Sequence, residues 1–180
     1  MEAVESKGGY LNAATSREYT SLYVRMLEQH VSIGIDVLAD ILINSTFTDI
    51  ERERGVILEE IASIEDTPDE LSHDLLSEFH WPNHSLGRPV SGYTETVAQM
   101  RYEDFRRFYE IWYKPSNMVF TIAGNFDEDA VLKQVTDLFS VLPAGDAPPL
   151  DSAPTFQSGI QVVERPISQT HIGIAMPGPS

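Results

Sequence analysis

Apolar residues recur along the chain at two spacings, and the change between them separates predicted helices from predicted strands. A spacing of three and four residues is typical of an amphipathic helix. Five long segments have this spacing, at residues 31–44, 49–64, 68–79, 101–113 and 127–142. A shorter helix at 1–7 is followed by Gly8 and Gly9, residues that commonly end a helix. The predicted buried stripe of the segment at 101–113 is Phe105, Phe108, Ile111 and Trp112.

β-Branched and aromatic residues mark the predicted strands. Residues 10–14 and 19–27 flank a short polar turn, as in an antiparallel hairpin. Because 81–93 is rich in Pro, Gly and Asn, we predict a loop there. Further strands are predicted at 117–124, 160–164 and 170–176. Since the elements do not alternate as β-α-β units, we predict an α+β fold with a mixed, mostly antiparallel sheet covered by helices.

The length of the chain and its proline content define the predicted domain organisation. A chain of 180 residues corresponds to about one domain. We therefore expect one domain over 1–180, with a helix-rich part and hairpin at 1–142, a linker at 143–159 and closing strands at 160–180. The first helix starts at Met1 without a capping residue, so we expect the domain to be incomplete at its N terminus.

Composition excludes several classes of function. The chain has 12 basic and 28 acidic residues and a formal net charge of −16, which repels nucleic-acid backbones and is easier to combine with a peptide partner. Because there is no cysteine, disulfide scaffolds, thiolate metal sites and cysteine nucleophiles are excluded. No apolar stretch reaches the roughly 18 residues of a membrane span, and no signal peptide is recognisable. We expect no nucleic acid, no membrane and a cytoplasmic location.

The segment at 50–64 combines apolar residues with carboxylates. At about 100° per residue, Glu53 and Glu60 differ by only about 20° around a helix. We expect both to lie in the inward stripe formed by Ile50, Val56, Ile57, Ile61 and Ile64. Inward carboxylates are costly unless a metal ion, an arginine or backbone amides compensate them. The alternative is that both reach the helix edge and pair with arginine there.

The histidines offer little support for a metal site. His80 and His84 have the i, i+4 spacing of helical zinc ligands, but Pro82 lies between them in a predicted loop. No histidine belongs to a His-x-x-Glu-His or His-Glu-x-x-His pattern. This chain alone is therefore not expected to build a histidine-rich metal site.

A run of small residues marks the first predicted strand. Ala13 and Ala14 allow another backbone to approach closely, as strand addition requires, and Asn12 can donate to and accept from a peptide bond. An ordinary strand with a close packing contact explains the same residues.

Four motifs in this order resemble the insulinase/pitrilysin superfamily of zinc metallopeptidases, in particular the branch that includes mitochondrial processing peptidase. They are 8–18 (GGYLNAATSRE), 51–60 (ERERGVILEE), 84–92 (HSLGRPVSG) and 113–118 (YKPSNM) leading to Gly124. The similarity extends over essentially the whole chain.

The resemblance implies a zinc-dependent metalloendopeptidase that acts on peptides or small unfolded proteins. It implies that Glu60 is a zinc ligand and that Glu53, seven residues earlier, helps to orient the site without binding the metal itself. It also implies that Asn12, Ala13 and Ala14 bind substrate peptide along a strand edge. The family's His-x-x-Glu-His motif, with the general base, would lie upstream of Met1, so this chain carries no catalytic residue and should be inactive alone.

A second homologous domain or subunit is the other partner that the resemblance implies, because it closes over the substrate in this family. The alternative function is a non-catalytic scaffold or partner subunit of the same superfamily, which binds peptides or supports a complex. Presence of both Glu53 and Glu60 favours the peptidase, since a scaffold is expected to replace costly inward carboxylates.

Overall fold

The computed structural model describes residues 2–149 and 151–178, and these form an α+β fold. The strands are β1 (Tyr10–Thr15) and β2 (Thr20–Arg25), paired antiparallel. The predicted hairpin and the predicted helices are confirmed. The helices are α1 (Glu2–Glu5), α2 (Val31–Ile43), α3 (Ile50–Asp66), α4 (Pro68–His80), α5 (Thr94–Gln99), α6 (Tyr102–Trp112) and α7 (Glu128–Phe139).

The described residues divide into two compact units. The first unit takes its residues from segments 1–15, 20–48 and 102–149, and the second from 16–19, 49–101 and 150–180. The single domain with a linker at 143–159 stays a prediction. No described helix is both long enough and apolar enough to cross a lipid bilayer.

The first unit is built on the packing of the hairpin against α2. Tyr10 is opposite Arg25 in the hairpin and Thr15 is opposite Thr20. Gly34 lets α2 approach the sheet, because a Cβ at this position would lie 3.0 Å from Cγ1 of Val24. The buried core of this unit consists of Val4, Ile35, Ala39, Val131 and Leu142.

Helix α6 packs through a different face from the one predicted. Phe105 and Tyr109, one turn apart, contact Phe47, with the Tyr109 and Phe47 ring centroids 5.8 Å apart. The prediction that the rest of the stripe is buried is wrong, since Phe108 is 57% exposed and Ile111 is 46% exposed. Trp112 is 38% exposed as well. The sequence pattern identifies an apolar stripe but cannot show whether another element covers it.

In the second unit, helices α3, α4 and α5 pack around Ile61 and Val97. Pro68 occupies the first position of α4, where its missing N–H costs no hydrogen bond. The predicted loop at 81–93 is confirmed, apart from one short 3₁₀ turn at Ser85–Gly87. Arg17 holds this loop: it donates to the Leu86 carbonyl at 2.7 Å and pairs with Asp74 at 2.9 Å.

Three predicted strands are not formed by the described residues. The segments at 117–124, 160–164 and 170–176 have no strand pairing, and Ile160 and Ile172 are 91% and 82% exposed. Within residues 2–149 and 151–178, the sheet is therefore the β1–β2 pair and is smaller than the predicted mixed, mostly antiparallel sheet. An alternating apolar segment becomes a strand only when a neighbouring strand accepts its hydrogen bonds, and the sequence pattern does not identify that neighbour.

Candidate functional site

Glu53 and Glu60 do not face the interior, and the prediction that they do is wrong. Both residues are exposed on α3. The buried stripe of α3 is centred on Ile61, which is 5% exposed. At about 100° per residue, Glu60 lies about 100° from Ile61, and Glu53 about 80°. The predicted stripe lies on the wrong side of α3 because it includes Val56, which is 51% exposed.

A hydrogen bond from the loop at 81–93 orients the carboxylate of Glu60. Ser91 Oγ, in the loop at 81–93, donates a hydrogen bond to Glu60 Oε1 over 3.0 Å. Within the described part of the chain, neither Glu60 nor Glu53 forms an ion pair. Glu60 therefore presents a charged, oriented oxygen pair to solvent.

The nearby arginine does not neutralise these carboxylates. Arg54 has a side chain that is only 17% exposed, and its guanidinium donates to the Glu51 carboxylate and to the Met100 carbonyl. Pairing of Glu53 or Glu60 with arginine, the alternative left open by the sequence, is therefore not found in residues 2–149 and 151–178.

His80 and His84 make structural contacts. His80 is 6% exposed, its Nδ1–H donates to the Gln157 carbonyl at 2.7 Å, and its ring stacks on Phe156 at 4.4 Å. His84 Nδ1 accepts from the Leu86 N–H at 3.1 Å, so its proton is on Nε2, which donates to the Ser152 carbonyl at 2.9 Å. These two rings fasten the segment after 151 to α4 and its loop.

The described residues do not fit a complete zinc centre. They contain no group of three His, Asp or Glu side chains placed to hold a metal ion. Catalytic zinc has three protein ligands in its usual sites. Glu60 could supply at most one of them.

The predicted peptide-binding strand is β1. Asn12 donates from Nδ2 to the hydroxyl oxygens of Tyr10 and Tyr23, and its Oδ1 accepts from the Ala13 N–H. Asn12, Ala13 and Ala14 are exposed and belong to the first unit, whereas Glu53 and Glu60 belong to the second. Their role in binding substrate stays a prediction.

Two polar contacts were not predicted from the sequence. Ser91 holds Glu60, and Tyr93 Oη donates to Glu78 Oε1 at 2.9 Å. Burial and the contact with Glu78 raise the pKa of Tyr93 above its ordinary value. Serine and tyrosine in a loop give no signal of their partners, because these partners lie 31 and 15 residues away along the chain, respectively.

Replacing Glu60 by Gln should change the free energy of unfolding of this chain by less than about 0.5 kcal/mol, because an exposed carboxylate with one neutral partner contributes little to stability. Chemical denaturation of both proteins measures the difference. Glu59→Gln, an adjacent exposed carboxylate, is the control. A loss of several kcal/mol would show that the Glu60 charge is paired within the chain.

Comparisons with known proteins agree over the whole length of the chain. Residues 1–94 match the family model "Insulinase (Peptidase family M16)", and residues 99–180 match "Peptidase M16 inactive domain". The uncharacterized zinc protease YmxG of Bacillus subtilis (strain 168) is 36% identical over 180 residues, which are 98% of this chain and 44% of that protein. The chain thus spans less than half the length of this relative.

Two further proteins are similar. The probable mitochondrial-processing peptidase subunit beta of Arabidopsis thaliana is 40% identical over 143 residues, which are 78% of this chain and 27% of that protein. The crystal structure of a peptidase M16 inactive domain from Pseudomonas fluorescens superposes with a TM-score of 0.78 at 15% identity, over 86% of this chain and 38% of that one. The last comparison shows a shared fold.

Proposed function

The chain belongs to peptidase family M16, the insulinase family, and from this premise we propose that it is part of a zinc-dependent metalloendopeptidase acting on peptides or small unfolded proteins. The relatives that carry the name zinc protease support this proposal. Within this chain, the proposal rests on the exposure of Glu60 and on its contacts. Its carboxylate is exposed, held by Ser91 and not paired with a cation in the described residues.

Such a carboxylate is suited to be one anionic ligand of a Zn²⁺ ion whose other ligands lie outside this sequence. The described residues contain no cluster that could complete the site. In the proposal, Glu53 supports Glu60 from the previous turns of α3, and the two histidine ligands and the general base come from a separate segment. The 180-residue chain alone is therefore proposed to be inactive.

The proposed substrate-binding element is the edge of β1 formed by Asn12, Ala13 and Ala14. An extended peptide adds to a strand edge through main-chain hydrogen bonds, which explains how many sequences can be accepted. A second homologous domain or subunit is the proposed partner that closes the site. The length of YmxG, of which this chain covers 44%, leaves room for one.

A non-catalytic scaffold is the second candidate: one observation favours it, and another removes an argument against it. Residues 99–180 match a family model described as an inactive domain. In addition, Glu53 and Glu60 are exposed, so a scaffold would have no energetic reason to replace them, and their presence no longer argues against it.

A hydrolysis assay on the complete product of the gene distinguishes the two candidates. We expect a quenched, unfolded peptide to be cleaved, the cleavage to stop after treatment with a chelator, and zinc to restore it. Peptide binding without cleavage at any zinc concentration would contradict the peptidase and support the scaffold.

A further inference from the structure

We propose that the Asn12 side chain, held by the hydroxyl groups of Tyr10 and Tyr23, is a displaceable cap on the outer edge of β1, and that an extended peptide segment binds there by displacing it. Among the residues that the structure describes, this edge has no strand partner. The peptide as occupant rests on the proposed function. The cap itself rests on the geometry of the hairpin.

The pairing of the hairpin shows which backbone groups of β1 are directed outward. The Ser16 N–H donates to the Tyr19 carbonyl at 2.8 Å, so this pair is a hydrogen-bonded one. Hydrogen-bonded and non-hydrogen-bonded pairs alternate along an antiparallel ladder. Ala13, three residues before Ser16 and opposite Leu22, is therefore in a non-hydrogen-bonded pair, and its N–H and C=O point to the outer edge.

Asn12 occupies that outward position. Its Oδ1 accepts a hydrogen bond from the Ala13 N–H at 2.9 Å. The orientation of the carboxamide follows from this contact, because an N–H must face an acceptor and only Oδ1 is one. The outward amide of Ala13 is thus already satisfied by the preceding side chain.

Two tyrosines hold the carboxamide in this orientation. Asn12 Nδ2 donates to Tyr10 Oη at 3.1 Å and to Tyr23 Oη at 3.4 Å, which uses both of its hydrogens. Tyr10 lies two residues before Asn12 on the same face of β1, and Tyr23 is directly opposite Asn12 on β2. The two rings contact each other, with centroids 5.9 Å apart, and both of their hydroxyl groups lie within hydrogen-bond distance of Asn12 Nδ2.

This arrangement suits an edge that must stay free until a peptide arrives. An unpaired strand edge is a template for any other strand, and proteins protect such edges. A side-chain amide satisfies the outward N–H without a permanent neighbour and can rotate away. The small side chains of Ala13 and Ala14 leave space beside the edge for the residues of an incoming strand.

The cap can be measured without any substrate. Hydrogen exchange of the Ala13 amide, followed by NMR, should accelerate several-fold in Asn12→Ala and in the double variant Tyr10→Phe/Tyr23→Phe. The matched control is Asn44→Ala, since the Asn44 amide bonds to Asp40 in α2 and not to β1. Unchanged exchange in both test variants would overturn the cap.

Displacement is tested with a fluorescein-labelled, 15-residue unfolded peptide rich in Val, Thr and Arg. If the peptide must compete with Asn12, fluorescence polarisation should show about five-fold tighter binding to Asn12→Ala, the gain from removing one competing hydrogen bond. Weaker binding to Asn12→Ala than to the parent would show that Asn12 contacts the peptide directly. Absence of binding to every variant would exclude a peptide at this edge. Either result overturns the proposed displacement.

Two further readouts separate the possible failures. Sedimentation at the same protein concentration shows whether Asn12→Ala self-associates, and a dimer in place of peptide binding would overturn the peptide as occupant. Hydrolysis by the complete gene product tests the proposed function alone. If the complete gene product does not hydrolyse peptide but the Asn12→Ala variant still shows faster exchange of the Ala13 amide, the cap stands and the proposed peptidase function is contradicted.

Discussion

Replacing Glu60 by Gln in the complete gene product should lower kcat/KM for peptide hydrolysis by more than about 100-fold, the upper figure for loss of groups that merely support a metal ligand. The substitution keeps the shape of the side chain and the contact with Ser91 Oγ, but replaces the anionic carboxylate by a neutral amide, which is a weaker ligand for Zn²⁺. Steady-state hydrolysis of a quenched peptide measures the effect.

Substitutions of two other carboxylates of α3 serve as comparisons for Glu60→Gln. Glu59→Gln removes a charge beside Glu60 on a different side of α3 and should leave kcat/KM within about two-fold, as for a surface change away from the site. Glu53→Gln should have an intermediate effect of about ten-fold, because its proposed role is to support Glu60. Equal activities of all three variants would contradict the assignment of Glu60.

Replacing Gly87 by Ala should destabilise this chain by about 3 kcal/mol, the upper part of the range for overpacking a buried site. Gly87 is buried, and a Cβ there would lie 2.2 Å from the carbonyl oxygen of Trp81 and 3.4 Å from that of Ser77. Backbone atoms cannot rotate away as a flexible side chain can, so the loop at 81–93 must shift. The same shift should disturb the Ser91–Glu60 contact.

Gly55→Ala is the matched control for this prediction. Gly55 lies within α3, where a Cβ would meet no atom within 4 Å. Alanine is the better helix former, so this variant should be about 0.5–1 kcal/mol more stable than the parent. Urea denaturation with an unchanged m-value measures both changes. A Gly87→Ala protein as stable as the parent would contradict the described packing of the loop.

The elements predicted correctly are those with local signals. The hairpin follows from a polar turn between two β-rich segments, and α4 begins at Pro68 because proline fits the first turn of a helix. What the sequence did not reveal is which apolar surfaces are covered. Phe108 in α6 and Ile160 near the C terminus belong to apolar patterns that are exposed in the described structure, because burial depends on distant parts of the chain.

The candidate site follows from family likeness rather than from burial. The family resemblance implies that Glu60 is a zinc ligand, but the physical argument for it, an inward carboxylate, does not hold because Glu60 is exposed. Its contact with Ser91 and the bonds of Asn12 with Tyr10 and Tyr23 depend on loop geometry and on the register between strands. Neither is encoded in a short sequence motif.

The zinc content of the complete gene product tests the central claim most directly. Elemental analysis of the purified protein should find about one zinc ion per chain, as in a mononuclear catalytic site. The Glu60→Gln variant should retain much less, and the Glu59→Gln variant as much as the parent. A parent protein without zinc, or a Glu60→Gln variant with undiminished zinc, would contradict the account.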